Sequence, residues 1–511
     1  MLKSVAAFLS ATARRLPRKT ALYIGNQSFS YEELEDKSSG FAWHLEKLGC
    51  VRGDFISLYG PNSFEWVVAY YGVMKIGAVV NPLNSMLTPE EVAYAMRDCG
   101  ARVIVGHADR LGPVLAEGKL QDVKAIAWGD ADGAQLIPFS DATRDWPRDQ
   151  DRYPDRRISY DDPCSVTYTS GTTGKPKGAL LSHRAILTNV EMTAVMHGRS
   201  ESDVVVSALP CSHVYGNVVL QGTLGRGGQL VLHASFDPLN TLSSIQLHKA
   251  TLLEGVPTMY MYLLNRPELE QFDLSTLRMC TVGGQSMPEE KMREVERRMG
   301  APLIELWGMT ELGGLGATHS VHGEPRPGSI GVALPYVQMR VAELENPERA
   351  VDGDVVGELQ VRGPITMRKY VGRPKETAEV LLPSGWLRTG DLARMDKDGF
   401  FYVVDRLKDM IITAGFNVYP AELESVIAAH PGVAMVAVTS IPDADKGELA
   451  KAFVVQRAGV ELDLDELEAH CRRHLAAYKV PRLFQVVSDL PKTSTGKIMR
   501  RVLRDQDGES R

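Results

Sequence analysis

One stretch of the chain has the residue types of a phosphate-binding loop. The segment YTSGTTGKPKG, residues 168–178, places three glycines, four Ser or Thr hydroxyls and two lysines within eleven residues. Glycines allow a sharp turn and a close approach of the backbone to a ligand. Backbone N–H groups, hydroxyls and lysines all donate hydrogen bonds, which suits a polyphosphate. The residues expected to bind phosphate are Thr169, Ser170, Gly171, Thr172, Thr173, Gly174 and Lys177.

This loop differs from the Walker-type P-loop. The Walker pattern has four residues between its glycines and a Ser or Thr after its lysine. Here only two threonines separate Gly171 from Gly174, and Pro176 follows Lys175. A flexible surface turn is the alternative for any glycine-rich segment, but the full ordered string of donors favours phosphate binding.

Seven further segments with charged, aromatic and glycine residues follow this loop. They are LPCSHVYG (209–216), VGGQSMP (282–288), ELWGMTE (305–311), GELQVRG (357–363), WLRTGD (386–391), DRLKDMIITAGFNVYPAELE (405–424) and PKTSTGKIMR (491–500). Together with the loop, and in the same order, they resemble the motifs of the adenylate-forming superfamily. That superfamily includes acyl-CoA synthetases, 4-coumarate–CoA ligases, stand-alone adenylation domains and beetle luciferases. The resemblance covers nearly the whole chain and is greatest to bacterial fatty-acid–CoA ligases.

The resemblance implies a two-step ligase reaction that uses ATP, Mg²⁺ and coenzyme A. A carboxylate and ATP first give an acyl-adenylate and pyrophosphate, and a thiol then displaces AMP. Adenylation turns a carboxylate oxygen into a good leaving group. We therefore expect the protein to contribute mainly positioning and charge stabilisation.

Several positions match functional residues of the superfamily. Thr310 resembles the residue that holds the α-phosphate, and Glu311 resembles the Mg²⁺ ligand. Asp391 resembles the carboxylate that accepts both ribose hydroxyls, and Arg406 resembles an arginine that contacts ribose or phosphate. The adenine side is expected to include Gly284, Gln285, Trp307 and Gly308. Trp307 departs from the usual tyrosine, so the ring can still stack on adenine but the phenol hydroxyl is lost.

The C-terminal motifs imply a mobile lid. Lys497 resembles the lysine that bridges the substrate carboxylate and the α-phosphate. Lys408 resembles the hinge residue about which the lid turns between the half-reactions, and Gly415 and Phe416 resemble the loop that contacts the pantetheine arm. The expected domains are a large N-terminal domain, residues 1–405, and a lid, residues 406–511.

The acyl site is expected around His213, Tyr215, Gly216, Gly284 and Gly313. His213 resembles the superfamily's acyl-site histidine and, with Lys497, Thr310 and Glu311, is predicted to be catalytic. The stretch that begins at His213 offers no carboxylate to pair with an α-ammonium group, which argues against an amino acid. Its apolar residues favour a medium- or long-chain fatty acid, and Gly313, Gly314 and Gly316 are interpreted as leaving room for it. An aryl acid such as coumarate or ferulate, loading of a carrier protein, and luciferase-like oxygenation are the alternatives.

Alternating helix and strand patterns must position these motifs. Short apolar runs such as DFISLYG, DVVVSALP and QLVLH predict strands buried on both faces of a mostly parallel sheet. Capping boxes predict helices that begin after Ser30 and Thr88, and a third capped helix is predicted from Ser286 to Gly300. Residues 130–160 are polar and predict a surface loop. The expected fold is therefore a large α/β domain with mostly parallel sheets, followed by a small α+β lid.

Composition narrows the class of protein further. The 511 residues carry 57 Lys and Arg against 64 Asp and Glu, a net charge of −7, so a nucleic-acid partner is not indicated. The six cysteines form no CxxC pair, which argues against a zinc site or a disulfide framework and fits a reducing compartment. The longest apolar runs are too short for a transmembrane helix. We expect a cytoplasmic enzyme with small-molecule substrates, and a homodimer is left open.

Overall fold

The computed structural model describes residues 3–117, 120, 122–130, 136–144, 146–148, 153–154, 157–169, 175–351, 353–414, 416–443, 446–457, 459–493 and 498–508. Its helices are α1 (Val5–Arg15), α2 (Tyr31–Lys47), α3 (Phe64–Lys75), α4 (Pro89–Cys99), α5 (Ala108–Ala116), α6 (Phe139–Ala142), α7 (His183–Met196), α8 (Val214–Arg226), α9 (Pro238–His248), α10 (Pro257–Leu264), α11 (Glu289–Met299), α12 (Pro374–Val380), α13 (Pro420–Ala428), α14 (Leu464–His474) and α15 (Arg500–Gly508). Short 3₁₀ turns span Pro267–Gln271 and Thr310–Leu312.

The strands of the first half are β1 (Thr20–Ile24), β2 (Gln27–Ser30), β3 (Phe55–Tyr59), β4 (Val79–Leu83), β5 (Val103–His107), β6 (Lys124–Trp128), β7 (Leu136–Pro138), β8 (Pro163–Thr169), β9 (Lys177–Ser182), β10 (Val204–Ser207), β11 (Gln229–Leu232) and β12 (Leu252–Gly255). Those of the second half are β13 (Met279–Gly283), β14 (Leu303–Met309), β15 (Gly314–Thr318), β16 (Val332–Ala333), β17 (Gln338–Ala342), β18 (Gly357–Arg362), β19 (Lys369–Tyr370), β20 (Leu387–Met395), β21 (Phe401–Arg406), β22 (Ile411–Thr413), β23 (Phe416–Val418), β24 (Val433–Asp443), β25 (Gly447–Gln456) and β26 (Leu483–Val486).

Two large sheets organise the chain up to about residue 370. Among the described residues, one sheet has the order β19-β9-β8-β4-β3-β5-β6-β7 and the other β16-β15-β14-β13-β12-β10-β11-β1-β2. The pairs from β8 to β7 and from β14 to β1 are parallel. Antiparallel strands join only toward the ends of each sheet. The prediction of an α/β fold with mostly parallel sheets is confirmed.

A continuous apolar core joins the two large sheets. Side chains from α1, α2, α3, α7 and α8 pack in one cluster with residues of β1, β3 and β4. Trp66 and Tyr71 of α3 are among its largest fully buried side chains. Helix α8 is buried along nearly its whole length, which is why its sequence lacks an amphipathic pattern.

Two smaller sheets follow in the last third. One has the order β17-β18-β20-β21 and is antiparallel, and it places β20 between β18 and β21. The other has the order β23-β22-β25-β24, with β26 parallel to β25, and α13 and α14 cover it. This change from mostly parallel to mostly antiparallel sheets agrees with the smaller α+β unit expected in the C-terminal part of the chain.

Local sequence signals explain several helix ends, and one prediction failed. Ser30 and Thr88 form complete capping boxes with Glu33 and Glu91, as predicted. The prediction of a capped helix from Ser286 was wrong at its start. Helix α11 begins at Glu289 after Pro288, and no side chain caps it.

The interpretation of residues 130–160 as a surface loop was also incomplete. The described part of this segment contains β7 and the short helix α6. Phe139 of α6 is buried and stacks on Phe41 of α2, with ring centroids 5.1 Å apart. The polar composition of the segment hid these few apolar anchors.

Candidate active site

The two ends of the phosphate loop lie on adjacent antiparallel strands. Thr169 at the end of β8 is in register with Lys177 at the start of β9. The Lys177 ammonium lies 5.3 Å from the centroid of the Tyr370 ring. The predicted phosphate ligands between Thr169 and Lys177 lie outside the described residues; they are Ser170, Gly171, Thr172, Thr173 and Gly174. The loop thus connects two adjacent strands, β8 and β9.

Helix α4 anchors both flanks of this loop. The Tyr168 hydroxyl donates a 2.9 Å hydrogen bond to Asp98 Oδ2, and Arg373 Nη2 donates one of 2.8 Å to Asp98 Oδ1. The Tyr94 hydroxyl donates to the Pro176 carbonyl at 3.1 Å. Sequence reasoning missed Tyr94, Asp98 and Arg373, because none of these three lies within a motif.

Glu311 is a buried carboxylate with one aromatic partner. It follows Thr310 in the 3₁₀ turn after β14 and is only 7% exposed. The Tyr370 hydroxyl donates a 2.6 Å hydrogen bond to Glu311 Oε1. Burial raises the pKa of Glu311, and the hydrogen bond from Tyr370 and the positive charge of Arg406 partly oppose that shift. A cation bound beside this carboxylate would favour its ionised form.

Asp391 lies next to Trp307 and Arg406. The indole Nε1–H of Trp307 donates a 2.8 Å hydrogen bond to Asp391 Oδ2. Arg406 Nε lies 3.4 Å from Asp391 Oδ1, because the two residues are register partners on β21 and β20. Asp391 also influences the pKa of Glu311, so these groups form one cluster.

Gly308 allows two strands of this cluster to approach closely. A Cβ at Gly308 would lie 2.0 Å from the carbonyl oxygen of Gly314. Gly314 and Gly316 also have close neighbours. A Cβ at Gly314 would lie 2.4 Å from Val218, and a Cβ at Gly316 would lie 2.5 Å from the Trp307 ring. These two glycines provide close packing, and the interpretation that they leave room for a substrate was wrong.

The acyl-site motif forms the start of α8. His213 Nδ1 accepts a 3.3 Å hydrogen bond from the Tyr215 backbone, which caps the helix. Gly216 has no space for a side chain, since a Cβ would lie 2.2 Å from the Pro210 carbonyl oxygen. Gly313 has a φ of +65° and lines a small cavity with Val214, Thr167 and Ser212.

The Tyr215 hydroxyl belongs to a buried polar network. It lies 2.6 Å from Thr281 Oγ1 and 3.2 Å from Glu254 Oε2. Glu254 is also paired with the buried guanidinium of Arg199. Burial raises the pKa of Tyr215 well above its ordinary value, so the phenol stays neutral.

The remaining predicted adenine-side residues follow β13. Gly284 has a φ of +91°, a conformation that favours glycine, and it is exposed. Gln285 is half-buried. Both lie at the carboxyl end of a parallel strand, where open α/β sheets bind their ligands.

The predicted hinge and lid residues are only partly described. Lys408 is exposed. Phe416 is also exposed and stacks on Tyr478 with ring centroids 4.7 Å apart. Gly415 and Lys497 lie outside the described residues.

The segments that flank the predicted catalytic lysine contact α10. Lys492 Nζ donates a 2.8 Å hydrogen bond to the hydroxyl of Tyr262, and that hydroxyl donates to Asp489 Oδ2 at 3.2 Å. Ile498 packs in the same apolar cluster as Tyr260 and Leu263 of α10. The segments on either side of residues 494–497 therefore pack against α10.

Comparison with known proteins settles the family. The AMP-binding enzyme family matches residues 9–371, and the AMP-binding enzyme C-terminal domain matches residues 422–497. This chain belongs to the AMP-binding enzyme family. The predicted membership of the adenylate-forming superfamily is confirmed, and so is the predicted fold.

Two relatives illustrate the range of the family. A long-chain-fatty-acid–CoA ligase of Bacillus subtilis (strain 168) is 34% identical, over 99% of this chain and 95% of its own length. A feruloyl-CoA synthase of Amycolatopsis sp. is 37% identical, over 97% of both chains. Because these relatives are acid–thiol ligases, the predicted class of enzyme is confirmed at the level of the family.

Solved structures give the same result. An anthranilate CoA ligase in complex with anthranoyl-AMP has a TM-score of 0.93 and 27% identity, and the match covers 100% of this chain and 98% of that one. A benzoate CoA ligase from Burkholderia xenovorans LB400 has a TM-score of 0.87 and 26% identity, over 98% and 99% of the two chains. In the described part of this chain, no helix is long and apolar enough to cross a membrane.

Proposed function

We propose that this AMP-binding enzyme is an ATP-dependent carboxylate–CoA ligase that acts on medium- or long-chain fatty acids. It forms an acyl-adenylate with release of pyrophosphate, and then an acyl-CoA thioester with release of AMP. The observation that supports this role is the convergence of Lys177, Glu311, Asp391 and Arg406 on one cluster, although these residues come from four different strands and turns.

In this proposal, the phosphates of ATP bind beside Lys177. The ammonium group of Lys177 and the hydroxyl of Thr169, with the loop between them, hold the β- and γ-phosphates. Thr310 donates to the α-phosphate. Strand pairing holds the backbones of Thr169 and Lys177 in register before ATP binds, so placing these two donors costs little reorganisation.

Glu311 fits a Mg²⁺ site. Mg²⁺ binds oxygen ligands and is usually held by one or two carboxylates together with substrate phosphates. Glu311 supplies such a carboxylate, and among the described residues no group of three or more Asp, Glu, His or Cys side chains could hold a metal ion by itself. When bound there, Mg²⁺ would neutralise phosphate charge.

Asp391 accepts the ribose hydroxyls in this proposal, and Arg406 contacts ribose or phosphate. Trp307, Gly308, Gly284 and Gln285 form the adenine side. Lys497 bridges the substrate carboxylate and the α-phosphate during adenylation. The lid, residues 406–511, then turns about Lys408 and brings Gly415 and Phe416 to the pantetheine arm of coenzyme A.

A cavity of only about 10 Å³ lies under α10, and it would have to widen to admit an aliphatic chain. Most of its lining is apolar, with Ala208, Phe236, Leu253, Met259 and Leu263 contributing side chains. Burial of a methylene group is worth about 0.8 kcal/mol, so an aliphatic chain gains affinity with each carbon that such a surface covers. The fatty-acid–CoA ligase among the relatives is consistent with this assignment.

A hydroxylated aryl acid is the second candidate. The Tyr215 hydroxyl and its partners Thr281 and Glu254 place hydrogen-bonding groups beside the predicted acyl site. A phenol could exchange hydrogen bonds with this network, whereas a methyl group could not. The feruloyl-CoA synthase among the relatives favours the same substrate class.

Substrate-dependent release of AMP and pyrophosphate tests both candidates. The purified protein would be supplied with ATP, Mg²⁺ and a panel of fatty, aryl, dicarboxylic and amino acids, each with and without coenzyme A. We expect turnover that requires coenzyme A and is fastest with fatty acids of 8 to 16 carbons, a range of roughly eight methylenes of burial. A preference for ferulate or coumarate would select the second candidate. Release without need of coenzyme A, with the adenylate retained, would contradict the ligase proposal.

We also infer a cytoplasmic location. All six cysteines are free and buried, which is usual in a reducing compartment. A homodimer stays a prediction that gel filtration would test.

A further inference from the structure

We propose that Trp307 is a positioning residue, whose indole N–H fixes Asp391 in the orientation that accepts the ribose hydroxyls of ATP. This inference rests on the proposed role of Asp391. It assigns to the tryptophan a function that stacking on adenine does not require.

The hydrogen bond between Trp307 and Asp391 is short and buried. Its length is 2.8 Å, and both residues are more than nine-tenths buried. A hydrogen bond to an ionised acceptor is about twice as strong as one between neutral groups. The contact joins β14 of the nine-stranded sheet to β20 of a smaller sheet, so it ties together two parts of the site that are 84 residues apart.

The packing around the indole prevents it from turning away. Gly316 lies against the ring, and a Cβ there would be 2.5 Å from an indole carbon. Burial of the indole and this close contact with Gly316 hold its N–H toward Asp391. The carboxylate that accepts from it is therefore fixed as well.

The lone pairs of Asp391 leave room for a diol. A carboxylate has about four acceptor sites. The indole takes one on Oδ2, and Arg406 lies at 3.4 Å from Oδ1. One acceptor site on each oxygen remains, which matches the two neighbouring hydroxyls of a ribose.

The indole is also a neutral donor. It orients the carboxylate without cancelling its negative charge, so the remaining lone pairs stay strong acceptors. A phenylalanine at the same position would keep an aromatic face for adenine but would leave Oδ2 without this donor. Removal of the N–H should therefore weaken recognition of ribose and spare recognition of the base.

Deoxynucleotides separate these two effects. In acid-dependent ATP–pyrophosphate exchange, the wild-type enzyme should prefer ATP over 2′-deoxy-ATP and 3′-deoxy-ATP. For Trp307→Phe we expect the KM for ATP to rise about tenfold, roughly 1.4 kcal/mol, with kcat changed less than threefold. The KM for either deoxynucleotide should rise less, so that the preference for ATP falls at least fivefold.

Controls separate positioning from general damage. Trp128 is about as buried but lies on β6 of the eight-stranded sheet and packs against Phe139, so Trp128→Phe should leave the preference for ATP unchanged. Trp307→Tyr keeps a large aromatic ring and supplies a second variant if Trp307→Phe is unstable. Equilibrium binding of ATP and the two deoxynucleotides gives the same comparison without turnover.

Two outcomes would overturn the inference. One is an equal loss of affinity for ATP and both deoxynucleotides in Trp307→Phe, because stacking or packing alone would produce it. The other is a Trp307→Phe enzyme whose KM for ATP is the same as that of the wild type. Wild-type protein that binds ATP but exchanges no pyrophosphate with any acid would instead contradict the proposed ligase function, and the binding ratios would still test Trp307.

Discussion

The buried pair Arg199–Glu254 should be costly to break and inexpensive to replace. Their side chains are 3% and 0% exposed, and the guanidinium contacts Glu254 Oε1. Two further guanidinium nitrogens, Nε and Nη1, have no hydrogen-bond partner among the described residues. Arg199 therefore depends on this single carboxylate for its compensation.

Glu254→Gln should destabilise the protein by about 3–5 kcal/mol, because it leaves an uncompensated buried charge on Arg199. Arg199→Met should lose a similar amount of stability, because it leaves the carboxylate of Glu254 buried without a compensating charge. The double variant Arg199→Met/Glu254→Gln removes both charges. It should lose only about 2 kcal/mol, since Tyr215 and Thr281 each exchange a hydrogen bond to a charged carboxylate for one to a neutral amide.

Guanidinium chloride denaturation measures these differences through the midpoint and slope of the transition. The expected coupling between the two positions is at least about 4 kcal/mol. Glu289→Gln is a matched control, because Glu289 pairs with Arg293 on an exposed surface of α11 and should shift the midpoint very little. Additive losses in the double variant would refute the argument that the pair compensates itself.

Three other changes test separate parts of the structure. Lys497→Ala should nearly abolish adenylation but leave thioester formation from supplied acyl-adenylate largely intact, and equal loss of both half-reactions would contradict its role. Tyr262→Phe removes the hydroxyl that contacts Lys492, so it should slow adenylation severalfold and spare thioester formation in the same assay. An unchanged adenylation rate would count against that contact. Burial raises the pKa of Glu305 from 4.5 to about 8, so the folded state holds a proton that the unfolded chain releases, and stability falls as pH rises between about 5 and 8. Glu305→Gln stays neutral, and its advantage in Tm should grow over that range, whereas a constant difference would contradict the raised pKa.

Local sequence signals predicted the elements better than their contacts. Ser30 and Thr88 begin helices because their side chains and the glutamates three residues later satisfy free N–H groups, and that information lies within four residues. Strands β3, β10 and β11 were recognisable because burial on both faces demands continuous apolar runs. Such local signals do not depend on contacts with distant parts of the chain.

The partners of the motif residues could not be predicted in this way. Tyr370 contacts Glu311 across 59 residues, and Arg373 contacts Asp98 across 275. Sheet topology creates both contacts, since β19 joins the edge of β9 at the end of the eight-stranded sheet. Nothing in the segment RKYVGRP distinguishes Tyr370 from an ordinary core aromatic.

The glycines after Glu311 show how a correct motif can carry a wrong explanation. The sequence suggested that Gly314 and Gly316 leave room for a substrate. The structure fills both spaces, with Val218 and Asn189 at Gly314 and with the Trp307 ring at Gly316. A glycine in a sequence signals close approach, but only the fold identifies what approaches it.

The two carboxylates of the site share one arrangement. Glu311 accepts from the phenol of Tyr370, and Asp391 accepts from the indole of Trp307. Both donors are neutral, so each carboxylate is oriented while its charge stays available for a ligand. Burying a carboxylate beside a neutral donor has an energetic cost, and burial accordingly raises the pKa of Glu311. The nearby cation, Arg406, is 42% exposed and lies at the proposed lid boundary. Arg406 is held beside Asp391 by the pairing of β21 with β20, before the proposed hinge at Lys408, so this cation would stay with the two neutral donors when the lid turns.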